Sequence, residues 1–134
     1  MRNIILITAI MFYGVSYSHS QNFISVRSLH PTEKYENIHV QTLYSDSLSS
    51  SYMIWVRKEV KPHKHVYHTE QVYVLEGNGE MIVDDEKHEI QPGDIIFIPK
   101  NTVHSVEVWS ELPMKVISVQ SPEFHGKDRI FVDE

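Results

Sequence analysis

The chain contains no cysteine. That absence excludes disulfides, thiolate zinc sites, iron–sulfur clusters and cysteine nucleophiles together. Basic residues are also few: 12 Lys and Arg stand against 18 Asp and Glu, for a formal net charge of -6. Nucleic-acid phosphates are bound by clustered Lys and Arg, so no nucleic-acid partner is expected. There is no Gly-rich phosphate loop, since "GNG" at 77–79 follows a strand-like run and no helix follows it. A G-x-S-x-G nucleophile elbow is missing as well. Beyond residue 20 no stretch shows a helical period. No apolar run reaches the roughly 20 residues that span a bilayer.

The longest apolar run, from Ile4 to Val15, lies at the amino terminus. Arg2 precedes it and the small residues Ser16, Ser18 and Ser20 follow. Positive charge, short apolar segment and small-residue exit make the layout of a cleavable signal peptide over residues 1–20. The expectation is therefore a periplasmic or secreted protein that begins at Gln21, with no stable membrane insertion after cleavage. Without disulfide staples, such a chain must be held by its core, by metal or by oligomerisation.

From Ile38 onward the sequence reads as short strands separated by turns. "IHVQTLY" (38–44), "HSVEVW" (104–109) and "MKVISVQ" (114–120) alternate apolar and polar residues, as half-buried strands do. "YMIWVRKEV" (52–60) is β-branched and aromatic, and is read as one strand. "EQVYVLEG" (70–77) is another, ending in the Gly77-Asn78-Gly79 turn signal. "EMIVDDEKHEI" (80–90) reads as a hairpin tipped by Asp84-Asp85-Glu86-Lys87. "QPGD" (91–94) is a turn, and "IIFIP" (95–99) a buried strand stopped by proline. This spacing predicts an all-β sandwich or barrel over residues 38–120, with arms at 21–37 and 121–134.

Against that background "HKHVYHTE" (63–70) stands out, with three histidines and a glutamate in eight residues. His63 and His65 are two apart, so on a strand their imidazoles share one face. Glu70 opens the next strand after a short bend, and His104 follows the "GDIIFIP" strand and turn. Three imidazoles and a carboxylate form an N/O donor set. It suits one divalent transition metal (Fe, Mn, Ni, Cu or Zn) rather than Mg or Ca, which prefer oxygen cages. Four protein ligands leave a position open for water or substrate. His68, in the bend, reads as a fifth ligand, a catalytic acid/base beside the metal, or a solvated loop residue. Arg57 reads as a carboxylate anchor in the pocket or as a solvated cation.

"PHKHVYHTEQVYVLEG" followed by "PGDIIFIPKNTVHSV" resembles the cupin family in both of that family's motifs. His63, His65, Glu70 and Gly77 match the first motif at each spacing, and Gly93, Pro99 and His104 match the second. The resemblance covers roughly residues 50–120. Asn101 departs from the pattern where a glycine is common, though asparagine also tolerates positive φ. Val108 departs from it where a terminal asparagine is common, at a position that is not a ligand. The resemblance implies a small jelly-roll β-barrel with a metal held in its mouth by His63, His65, Glu70 and His104. It also implies a homodimer paired through strand edges. The barrel hosts many reactions, so three functions are compatible with it. One is a metal-dependent enzyme on a small hydrophilic substrate, such as a carbohydrate or an unsaturated uronic acid from polysaccharide degradation, with His68 or a tyrosine moving a proton. The second is an Fe or Cu dioxygenase, or a lyase, acting on another small acid. The third is a non-catalytic sugar- or metal-binding module.

Overall fold

The computed structural model describes residues 22–132, so the signal-peptide segment expected at 1–20 lies outside the described residues. Ten strands follow one 3-10 turn at Val26–Ser28: β1 Ile38–Ser45, β2 Ser50–Val56, β3 Glu59–Lys64, β4 Thr69–Glu76, β5 Gly79–Val83, β6 Glu86–Ile90, β7 Ile95–Ile98, β8 His104–Val108, β9 Met114–Ser121 and β10 Ile130–Phe131. They form two five-stranded sheets, in the orders β1-β2-β9-β4-β7 and β10-β3-β8-β5-β6, with antiparallel pairing throughout. The all-β expectation holds. No helix among the described residues is long and apolar enough to cross a membrane.

The run at 52–60 is not one strand. It breaks at Arg57-Lys58, where the chain leaves the first sheet and β3 enters the second. Asn37 organises the corner. Its side-chain oxygen accepts from the Lys58 and Glu59 amides (3.0 and 3.3 Å), and its amide nitrogen donates to the Glu59 carbonyl (2.9 Å). The apolar composition of the run was a correct sign of extended chain but carries no information on which sheet each half joins.

Alternation places the core between the sheets. On β4, Val72 and Val74 point inward while Gln71 and Tyr73 point out. Met81, Ile90, Ile98, Met114 and Val116 complete the buried cluster. Gly79 is required by space, because a Cβ there would lie 2.1 Å from the Glu107 carbonyl oxygen on the neighbouring strand β8.

The inner face also has a polarity gradient. Along β4 it reads Val74, Val72, Glu70, and along β9 Met114, Val116, Ser118, Gln120. The pairing opposes Val74 to Val116, Val72 to Ser118 and Glu70 to Gln120. Both strands therefore become polar at the same end of the barrel.

The two arms are built into the fold. Lys115 is buried, and its ammonium donates to the Val26 and Leu29 carbonyls (2.9 and 3.0 Å), fastening the N-terminal segment over the first sheet. The C-terminal segment adds β10 to the edge of β3, pairing Ile130 with Lys64 and Phe131 with His63.

Candidate metal centre

His63 lies near the end of β3 and pairs directly across the sheet with His104, the first residue of β8. One extra residue is accommodated in β3 between Val60 and His63, opposite Val106 and His104. Such a bulge re-aims side chains at the rim of a barrel. His65 follows just beyond the strand, and its carbonyl accepts from the Asn101 amide at 2.6 Å. Asn101 has φ +61°, the left-handed conformation expected for this position. The turn after Pro99 is thereby tied to the histidine pair.

The imidazoles of His63, His65 and His104 converge, with their ligand nitrogens all within 4.8 Å of one another. All three are buried. Each Nδ1 faces a backbone carbonyl: Lys61 for His63 (2.8 Å), Asp128 for His65, and Thr102 for His104 (3.0 Å). These bonds place the ring proton on Nδ1 and leave the Nε2 lone pairs facing the centre. Glu70 joins them, with Oε2 3.2 Å from His104 Nε2 and 3.5 Å from His65 Nε2. Its other oxygen accepts from Ser118 Oγ and, at 3.4 Å, from Gln120 Nε2. The three histidines could hold a metal ion.

The fit can be tested on the donor set itself. His65 Nε2 and His104 Nε2 are buried without a hydrogen-bond partner. Nitrogen lone pairs facing a carboxylate oxygen repel one another, and buried polar atoms without partners are costly. A cation at the convergence point removes both problems. The electrostatics agree with this. Burial, followed by the neighbouring His104, lowers the His63 pKa from 6.5 to about 4, so this ring is neutral at neutral pH as a ligand must be. Burial alone would raise the Glu70 carboxyl. Donation from the His104 and His65 rings when they carry a second proton, and from the Ser118 hydroxyl, outweighs burial and holds it well below the usual carboxylate range in the absence of a cation.

The centre closes one end of a cavity of about 70 Å³ inside the barrel. His63, Glu70, His104 and Ser118 form its polar end, and its walls are largely aliphatic, with Val72 and Val106 among them. A water occupies roughly 10–15 Å³ of such volume, so several waters or a small organic group fit.

His68 is not brought into this cluster. Its Nδ1 meets the Asp128 carboxylate at 2.5 Å, and its Nε2 faces the Glu123 carbonyl at 3.1 Å. With both ring nitrogens occupied, it ties the bend to the C-terminal segment and has no free nitrogen for the acid/base role expected of it. Arg57 is also outside the cavity. Its guanidinium stacks on Tyr35 at 4.6 Å, on the exterior of the first sheet.

Three contributors were not foreseen. Asp128 is buried, and its carboxylate accepts from the Val66 and Tyr67 amides (3.0 and 2.8 Å) as well as from His68. Burial works against its ionised form, but these donors prevail and keep its carboxyl pKa low. Nothing local in the sequence marks it. Ser118 and Gln120 did carry a signal, since they occupy inward positions of an alternating strand where apolar residues are the rule.

Residues 52–120 match the family model described as Cupin domain. The chain is 34% identical over 98 residues to an uncharacterized protein of Aquifex aeolicus, covering 73% of this chain and 80% of that one. It is 31% identical over 112 residues to the L-ectoine synthase of Hahella chejuensis, covering 81% and 74%. A shorter match, 38% over 45 residues, is to the pectin degradation protein KdgF of Dickeya dadantii, covering 34% of this chain and 41% of the relative. Among solved structures, KdgF from Halomonas sp. superposes with a TM-score of 0.67 at 23% identity, over 77% of this chain and 94% of that one. At that identity the likeness shows the fold. Motif spacing, convergent imidazoles and the matched domain agree that this chain belongs to the cupin family.

Proposed function

We propose that the protein is an exported, metal-dependent enzyme in which His63, His65, Glu70 and His104 hold one divalent transition metal. The observation that carries this reading is the convergence of the His63, His65 and His104 rings, with a Glu70 oxygen beside His65 and His104, at the end of an internal cavity. Such an ion supplies Lewis-acid polarisation of a substrate oxygen or, if redox-active, electron transfer. The chain's own residues do the rest. The Lys61, Asp128 and Thr102 carbonyls fix the three rings. Ser118 and Gln120 orient Glu70, and the aliphatic walls exclude bulk water. His68 acts as a positioning residue through Asp128.

The substrate class proposed first is a small hydrophilic molecule, such as a carbohydrate or unsaturated uronic acid from polysaccharide degradation. The similarity to the pectin degradation protein supports it. A second reading, a dioxygenase or lyase acting on another small acid, is favoured by the aliphatic cavity walls, which offer few partners to sugar hydroxyls. The homodimer belongs to the same proposal, supported by Ile95 and Phe97, which are exposed on the edge strand β7; the mass in solution tests it.

Elemental analysis of the purified, untagged protein beside His104→Ala tests the metal centre. The expected result is about one Fe, Mn, Ni, Cu or Zn per chain, lost or sharply reduced in the variant. The metal found chooses between oxygen chemistry and Lewis-acid chemistry for the substrate screen. No bound metal, and no uptake when these metals are supplied, refutes the proposal. Fractionation of the native host tests export, and a purely cytoplasmic protein refutes that part.

A further inference from the structure

We propose that Arg129, carried on the C-terminal segment, anchors a carboxylate of the substrate at the barrel cavity. The inference rests on the reading of the same site as a metal centre and adds the charge of what it binds.

Arg129 lines the cavity whose polar end is formed by His63, Glu70 and His104. It is the only Lys or Arg among the lining residues, and Glu70 is the only carboxylate. Among the described residues no Asp or Glu oxygen lies within 4.0 Å of its guanidinium. With a divalent ion bound, the ion and Arg129 outweigh the single Glu70 charge. The cavity is then a positive locus within a chain of formal charge -6. Arg129 itself is exposed, so it stands where the cavity meets solvent, and water partly screens its attraction for an anion.

Arg129 is also held in place. Asp128 before it is fixed by the Val66 and Tyr67 amides and His68, and its carbonyl accepts from His65 Nδ1. Ile130 after it is paired with Lys64 on β3. The backbone of Arg129 is thus fastened on both sides, one residue from the carbonyl that orients His65. A cation serving only solubility needs no such fastening. A guanidinium presents a planar fork of donors that matches a carboxylate in two parallel bonds. Phosphate would also pair with it, but a second negative charge costs more to desolvate between aliphatic walls in so small a cavity.

The test is calorimetric titration of the metal-loaded full-length protein with acetate, pyruvate and galacturonate, alongside acetamide, galactose and inorganic phosphate. Wild type, Arg129→Met and Arg129→Lys are compared, with metal content measured on each sample. At least one carboxylate is expected to bind the wild type, its neutral counterpart at least tenfold more weakly. Affinity should fall about ten- to a hundredfold in Arg129→Met, the range for losing a charge-assisted bond. Arg129→Lys should recover part of it, and all three proteins should carry equal metal. Equal carboxylate affinity in wild type and Arg129→Met overturns the proposal, as does no carboxylate binding to the wild type. Tighter binding of phosphate than of every carboxylate overturns the assignment to carboxylate. A wild type without metal refutes the metal centre separately. Carboxylate affinity lost in Arg129→Met would then still support the anchor, and unchanged affinity would overturn it.

Discussion

Stability of the metal-free protein is expected to fall steeply in mild acid, and His63 is the reason. Burial and the adjacent His104 lower its pKa from 6.5 to about 4. In the unfolded chain the ring takes a proton near 6.5, whereas in the folded protein it resists until about 4. Between those values the unfolded state binds more protons, so acid favours unfolding. The stabilisation is therefore complete above pH 6.5 and is lost as pH falls through 4. At about 1.4 kcal/mol for each tenfold change in proton affinity, the full effect is about 3 kcal/mol. That is a large fraction of the roughly 5–15 kcal/mol that holds a typical domain. The assay is urea unfolding in EDTA at several pH values from 7.5 to 4.5, for wild type and His63→Gln. Glutamine cannot titrate, so the difference between the two proteins isolates the ring. Wild type should lose stability relative to the variant by up to about 1.4 kcal/mol per pH unit below 6.5. A difference that stays flat across the window, or grows in favour of wild type as pH falls, would refute the reasoning.

Three other perturbations follow from the geometry. Gly79→Ala drives a Cβ to 2.1 Å from the Glu107 carbonyl oxygen, and the forced separation of β5 and β8 should cost at least about 2 kcal/mol by denaturant unfolding; a neutral outcome would mean that these strands are not so closely paired. Ser118→Ala removes a donor to Glu70, and metal affinity in competition with a chelator should weaken about ten- to a hundredfold while the fold persists. Unchanged affinity would separate Ser118 from the centre. Asp128→Ala deletes the acceptor for two amides and His68 and should cost about 3 kcal/mol or more. Limited proteolysis should then cut first near the C-terminus, and a tail as resistant as in wild type would contradict the clasp.

Much of the fold was legible in local pattern. Alternation in β4, β8 and β9, the turn at Gly77-Asn78-Gly79 and the hairpin tip at Asp84-Asp85 all appear near their expected places, because strand period and turn conformation depend on neighbouring residues. The break at Arg57-Lys58 was not legible, since a change of sheet alters partners without altering period. The contacts of His68 were not legible for a related reason. Its ring direction is set by Asp128, 60 residues away.

The sequence by itself singled out the candidate donors. His63, His65, Glu70 and His104 are marked by residue type and spacing, and a period of two on a strand puts paired side chains on one face. The absence of cysteine determined as firmly what the centre is not. Only the tertiary structure decided how the donors meet. Pairing of β3 with β8 sets His63 against His104, and pairing of β4 with β9 sets Glu70 beside Ser118 and Gln120. Only the tertiary structure returned the C-terminal segment to the site, with Asp128 behind His65 and Arg129 at the cavity. Hydrogen bonds and charge act over a few ångströms in space, and distance along the chain does not report which distant residues will come that close.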